Sequence, residues 1–340
     1  MKKWLWLPLV ILGAVIVMGI NGIFQSPEKL PVSETIQQQP LVSPTNQPKT
    51  EKPSDDLLAS REKLVAHVQN LNFQRYTAKE RSLTRTYITT QLRKFGWRPQ
   101  LEKYSTGVNI FAQRPGTDKT AGAILVAAHY DTVAGSPGAD DNATGVAVVL
   151  EVARLFNSLP TARTLQLAFF DQEEAGLLGS QAFVQQNQHL IHLQGAIIMD
   201  MVGYACYQPG CQKYPPTIPV SPPSNQGDFL AVVGDVEHLP LLAAFQQTNS
   251  YLPPVLTLPV PFKGLLTPDT LRSDHAPFWY QGVGAVLATD TANLRTPHYH
   301  QPTDVPKTIV PDFFQGSAQI IINTTETLLK TTDSLLAPAP

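Results

Sequence analysis

The chain is short of charge, of cysteine and of the signatures of several common chemistries. Only 15% of its 340 residues are charged and the formal net charge is −2, so no basic field exists to gather a polyanion, and a nucleic-acid role is excluded. Cysteine occurs twice, at Cys206 and Cys211, too few for a disulfide framework. The pair reads as a local disulfide clamping one loop in an oxidising compartment, with two free thiols or a weak metal pair left open by the spacing. There is no internal repeat, no Gly-x-Ser-x-Gly elbow, no phosphate-binding glycine loop and no nicotinamide-type fingerprint. What the chain does have is apolar residues, 43% of the total, enough to bury one large core or at most two small ones.

The amino terminus stands apart. Lys2 and Lys3 precede an uncharged stretch from Trp4 to Phe24, and the next charge is Glu28. About 20 helical residues match a hydrocarbon thickness of about 30 Å, and the leading lysines favour a cytoplasmic start. Residues 1–24 are therefore expected to be an uncleaved signal anchor that places the rest outside the cytoplasm. The rival is a cleaved signal peptide, which would leave a secreted protein; no clear small-x-small site follows the apolar run. No cysteine follows it either, which speaks against a lipoprotein. Residues 25–55, with prolines at 27, 31, 40, 44, 48 and 53, read as an extended stalk.

Residues 56–336 alternate helical and strand patterns, which predicts an α/β domain: a three-layer sandwich with a mostly parallel central sheet flanked by helices. Helices are expected over 57–71, 79–95, 142–157 and 311–330, and buried strands over 122–128, 164–170, 195–199 and 283–288. The proline-rich stretch 204–226 reads as a long surface loop, and the positions after 334 as a tail.

Polar residues gather where those strands end, the place where open α/β sheets bind ligands. His129-Tyr-Asp131 follows the first strand, and Asp140-Asp141 lies beyond a Gly/Ser/Pro loop. Two adjacent acids repel unless solvated or shared with a cation. Glu173-Glu174 follows the second strand, where paired glutamates are either a solvated helix start or a ligand beside a proton carrier. Asp200 ends the third strand inside an apolar run, where a carboxylate is costly unless paired or coordinated. His298-Tyr-His300 follows the fourth. Imidazole and carboxylate suit zinc, and histidines with carboxylates from four strand ends are what a two-metal site requires.

These segments, in order and spacing, resemble metallopeptidase family 28, the dinuclear zinc aminopeptidases whose relatives include glutamate carboxypeptidase and the glutaminyl cyclases. The resemblance runs from about residue 57 to 336 and implies two zinc ions per chain. It makes Asp140 the shared carboxylate, with a cis Asp140-Asp141 peptide. His129 and Asp200 would then hold one ion, and Glu174 and His300 the other. It makes Glu173 the general base, and Asp131 the carboxylate that orients His129, where the bare alternative is a loop cap. Asp141 and the segment Arg272-Ser273-Asp274-His275 fall near the pocket, Asp274 and His275 being equally readable as a helix cap with a structural histidine. Tyr204, Tyr280 and Tyr299 are each candidates to polarise a carbonyl.

The implied activity is zinc-dependent removal of residues from peptide or protein substrates, most commonly from the amino terminus. Two other readings stand beside it. A glutaminyl cyclase shares the fold with one zinc and usually lacks the second acid of the Asp140-Asp141 pair. An inactive, receptor-like ectodomain would lose ligands, and none of the five is missing.

Overall fold

The computed structural model describes residues 57–215, 224–246 and 251–336; the expected anchor and stalk lie outside them. No helix among the described residues is long and apolar enough to cross a membrane.

In chain order the elements are α1 (Arg61–Asn70), α2 (Ala78–Lys94), β1 (Gln100–Lys103), β2 (Val108–Arg114), β3 (Ala123–His129), α3 (Gly145–Leu155) and β4 (Thr164–Phe170). There follow α4 (Leu178–Val184), α5 (Asn187–Leu190), β5 (Leu193–Met199), β6 (Leu230–Asp235), α6 (Leu239–Ala243), β7 (Val255–Val260), α7 (Ala276–Tyr280), β8 (Ala285–Thr289) and α8 (Pro311–Lys330). The eight strands form one sheet in the order β1-β2-β4-β3-β5-β8-β6-β7. The centre, β4-β3-β5-β8, is parallel. The flanks are not: β1, β2 and β4 pair antiparallel, and β6 runs antiparallel to β8 while β7 runs parallel to β6. The sheet is thus mixed, where the sequence predicts a mostly parallel one.

Strand β3 shows why the centre is covered on both sides. All seven of its residues are buried, as an unbroken Ala/Ile/Leu/Val run requires. Ile124, Val126 and Ala128 join the layer containing α1, α2, α3 and α8. Ala123, Leu125 and Ala127 face Phe183 of α4 and Phe278 and Trp279 of α7. This alternation is the period-two pattern of a strand.

The caps follow from sequence as well. Thr77 and Glu80 close a reciprocal capping box at the start of α2, satisfying amide groups that a helix start leaves open. Helix α8 keeps its expected bounds, with Pro at its first turn, where a missing N–H costs nothing. The expected tail is shorter than predicted: Leu335 is buried, its Cδ1 packed against Gly195.

Beyond β8 the described residues place no helix of the α4/α7 layer over the sheet. The faces of β8, β6 and β7 bearing Leu287, Val233 and Leu258 are left open and line a cavity of about 400 Å3. The described residues 204–215 and 224–226 form no helix or strand; they carry the Cys206–Cys211 disulfide and are pinned by a bridge between Cys206 and Gly227.

Candidate metal centre

The register of the parallel strands sets the site. His129 pairs with Phe170, and Ala128 with Met199, so His129, Asp171 to Glu174 and Asp200 emerge side by side at one end of the sheet. His300, in a left-handed conformation at φ 58°, closes over them from the segment after β8.

Asp141, not Asp140, lies at the middle. Its Oδ1 is 3.4 Å from His129 Nε2 and its Oδ2 is 3.2 Å from His300 Nε2. His129 Nε2 is also 3.5 Å from Asp200 Oδ1, and His300 Nε2 is 3.0 Å from Glu174 Oε2. Two groups result, His129/Asp141/Asp200 and Asp141/Glu174/His300, each with ligand atoms within 4.8 Å of one another. Asp140 is turned the other way. Its Oδ1 accepts from Gly203 N at 3.0 Å and from Thr144 Oγ1 at 3.0 Å. The cis peptide is likewise one residue on, between Asp141 and Asn142. The position that the resemblance gives to Asp140 is thus filled by Asp141.

The donor atoms fit a cation. Both ring nitrogens of His129, Nε2 of His300 and Oε1 of Glu174 are buried without a well-aligned hydrogen-bond partner among the described residues, although buried polar atoms are ordinarily paired. The charges point the same way. Burial first, and then Glu174, push the Asp141 carboxyl up to about 8. Burial lowers the basicity of His300, but its contacts with Asp141 and Glu174 outweigh that and raise it to about 10. Carboxylates this close take protons when no metal neutralises them.

Glu173 is 8% exposed and lines the cavity without belonging to either group. Burial holds its carboxyl well above the ordinary range. Asp131 holds this segment in place: Oδ1 accepts from Glu173 N at 2.9 Å and Oδ2 from Glu174 N at 3.2 Å. Oδ1 also lies 3.6 Å from His129 Nδ1. The two readings of Asp131, a loop clamp and a neighbour of the histidine, are therefore one arrangement.

Asp274 and His275 are buried but outside both groups. His275 Nε2 bonds Thr270 O at 2.7 Å and its ring meets Trp279 edge-on; burial lowers it to about 4, a structural neutral imidazole. Asp274 makes no cap: α7 starts without a side-chain capping bond. Of the tyrosines, Tyr299 lines the cavity and stacks on His300 with ring centres 3.7 Å apart. Tyr280 is exposed, and the Tyr204 ring packs against His298.

Several residues that hold the site carry no signal in sequence. Asp304 accepts the amides of both Asp140 (2.8 Å) and Asp141 (3.0 Å). Asn142 donates to Met199 O and accepts from Gly145 N and Met201 N, tying the acid pair to β5. Arg75 is fully buried and donates to the carbonyls of Leu71, Tyr130, Pro137 and Gly138. Gly138 sits at φ 63°, where a Cβ would lie 2.3 Å from Asp141 O; only glycine fits that turn.

Known proteins share this arrangement of fold. Residues 109–325 match Peptidase family M28. YfbL of Escherichia coli, an uncharacterized protein, is 32% identical over 216 residues, 58% of this chain and 64% of that one. Aminopeptidase YwaD of Bacillus subtilis is 39% identical over 101 residues, 29% of this chain and 22% of that one. The chain thus spans less than two thirds of either relative. Among solved structures, the aminopeptidase of Aneurinibacillus sp. strain AM-1 has a TM-score of 0.63 at 16% identity, covering 84% of this chain and 98% of that one. Porphyromonas gingivalis glutaminyl cyclase has a TM-score of 0.60 at 20% identity, covering 79% and 99%; at such identities both speak for the fold alone. With more than half of its length matched, the chain belongs to Peptidase family M28.

Proposed function

We propose that the chain is a zinc exopeptidase that removes amino-terminal residues, with two zinc ions held by His129, Asp200, Asp141, Glu174 and His300. The observation that carries this is Asp141, shared between two groups of unpartnered donors. Zinc in such a site supplies Lewis acidity toward a water and a peptide carbonyl. Glu173 takes a proton from the attacking water at its carboxylate and returns it to the leaving amine, a role suited to a buried carboxyl of raised pKa. Asp131 keeps that carboxylate in reach by fixing the Glu173 amide. Val233, Leu258 and Leu287 in the cavity beside these groups favour an apolar side chain.

The apolar stretch 4–24 supports an anchored, extracytoplasmic enzyme, and the Cys206–Cys211 disulfide suits an oxidising compartment. The test is zinc stoichiometry beside hydrolysis of aminoacyl 4-nitroanilides, for wild type and Glu173→Ala. About two zinc ions in both, with turnover in the wild type only, is expected. One zinc or none in zinc-replete protein, with no peptide turned over, would move the assignment to a cyclase or a binding ectodomain.

A further inference from the structure

A second cavity, of about 230 Å3, opens beside α2 and is lined by Arg81, Arg85, Lys103, Tyr104, Val108 and Asp171 among others. The whole chain is slightly acidic, yet here three cations face a single carboxylate. That carboxylate is already engaged: Asp171 Oδ1 meets Arg81 Nε at 2.7 Å, and Oδ2 accepts from Val108 N at 2.9 Å with Arg85 Nη1 at 3.4 Å. The two arginine side chains are only 11% and 16% exposed, so water solvates them poorly and their excess charge is uncompensated within the protein. Arg85 makes its hydrogen bonds through Nη1, to Tyr130 Oη and Asp171. Its Nε and Nη2 are thus unused among the described residues. A planar guanidinium with unused donors matches the oxygens of a carboxylate or phosphate.

We propose that this cavity is an oxyanion-binding subsite, in which Arg81, Arg85 and Lys103 hold a carboxylate or phosphate group. Its place bears on the reaction. Asp171 directly follows β4, two residues before Glu173, and β4 lies next to β3, which carries His129. Two strand spacings, roughly 10 Å, separate this flank from the donor groups, and an extended peptide covers about 3.3 Å per residue. A short peptide whose scissile bond lies at the donor groups spans that distance in about three residues, which makes its terminal carboxylate the source of the anion in this proposal; this source rests on the peptidase reading. A free inorganic anion does not.

The test uses the zinc-loaded full chain, as wild type, Lys103→Gln and Arg85→Gln. Lys103 is exposed, so its substitution removes charge without disturbing buried Asp171. Thermal unfolding is followed as inorganic phosphate is titrated at constant ionic strength, and kcat/KM is measured for short peptides and for their carboxyl-terminal amides. Half-saturation by phosphate is expected to weaken about tenfold in each variant, the effect of one charge-assisted hydrogen bond. If the preference for peptide acid over amide falls with it, the substrate's own carboxylate is the ligand. An unchanged preference assigns the subsite to a free anion. Phosphate responses and substrate preferences identical in all three proteins overturn the proposal, and absence of any peptide turnover would remove the peptidase reading while leaving the phosphate result to stand.

Discussion

Replacing Arg75 by methionine tests whether the loop bearing the acid pair is held from beneath. The guanidinium has no exposed surface and reaches four buried carbonyls, those of Leu71, Tyr130, Pro137 and Gly138, at 2.6–2.8 Å. Burial lowers its pKa to about 10, which leaves it charged at neutral pH. Methionine keeps the stem and removes every donor. Each stranded carbonyl costs about 1–3 kcal/mol, but the four share one side chain and their losses are not additive. A total of about 4 kcal/mol is expected, in the range found when one partner of a buried charged network is removed. Arg75→Lys retains the charge with three donors in place of five and should lose about half of that. Urea unfolding monitored by circular dichroism gives the stability, and zinc stoichiometry gives the site, because Pro137 and Gly138 lead directly into Asp141. A methionine variant within about 1 kcal/mol of wild type, with full zinc content, would refute the idea that Arg75 carries the loop.

Asp141→Asn should lower zinc affinity far more than Asp140→Asn, read by competition with a chelator; equal losses would return Asp140 to the shared position. Asp131→Asn, which keeps an acceptor for only one of the Glu173 and Glu174 amides and removes the negative charge beside His129, should weaken zinc binding about 10- to 100-fold, the range for partners behind a metal ligand. Leu258→Trp should narrow the large cavity and lower kcat/KM for leucyl and phenylalanyl anilides about tenfold relative to the alanyl anilide; equal effects on all three would exclude that wall from side-chain selection. His67 is lowered to about 4, chiefly by burial, and bonds Tyr87 Oη at 2.7 Å. The unfolded chain therefore binds the extra proton, so this contribution is full above about pH 6.5 and is lost as pH falls toward 4, by at most about 3 kcal/mol. His67→Gln should flatten that limb of the urea-unfolding profile.

The central strands were legible because their physics is local. A largely apolar run such as 164–170, broken only by Gln166 after its first Thr, belongs inside a covered sheet, and its observed bounds are those expected. The outer strands offered no such signal. Strand β1 reads Gln-Leu-Glu-Lys and is largely exposed, and β7 contains Pro259, tolerable only because β7 is the last strand of the sheet. Strand β6 acquires its meaning from pairing on both sides, which periodicity over six residues does not reveal. Arg75 and Asp304 are silent for a related reason. One lies between two helices and the other ends a loop, and each reaches the site through partners more than 50 residues away.

The exchange of Asp141 for Asp140 shows where motif reading stops. Both acids are buried, both lie within one short turn, and either is chemically able to share two cations. What separates them is where each carboxylate finds donors. Asp304 holds the two amides side by side, fixing the backbone without choosing between the side chains. Thr144 Oγ1 and Gly203 N then occupy Asp140, and Asp290 stands next to it, raising its pKa further after burial has already done so. Asp141 has φ −100° and ψ 86°, outside the helical region as Asn142 also is, and its carboxylate faces the two histidines. Asp140 has only Oδ1 held by neutral donors and an unpartnered Oδ2 buried beside Asp290, whereas Asp141 faces two imidazoles, so a cation stabilises Asp141 more. Thr144→Val should therefore expose the distinction: it removes one donor from Asp140 and none from Asp141. Stability should fall by about 1–2 kcal/mol in urea unfolding, while the zinc content stays at the wild-type value. A loss of zinc with unchanged stability would mean that Asp140 serves the metal and that the assignment from hydrogen bonds is wrong.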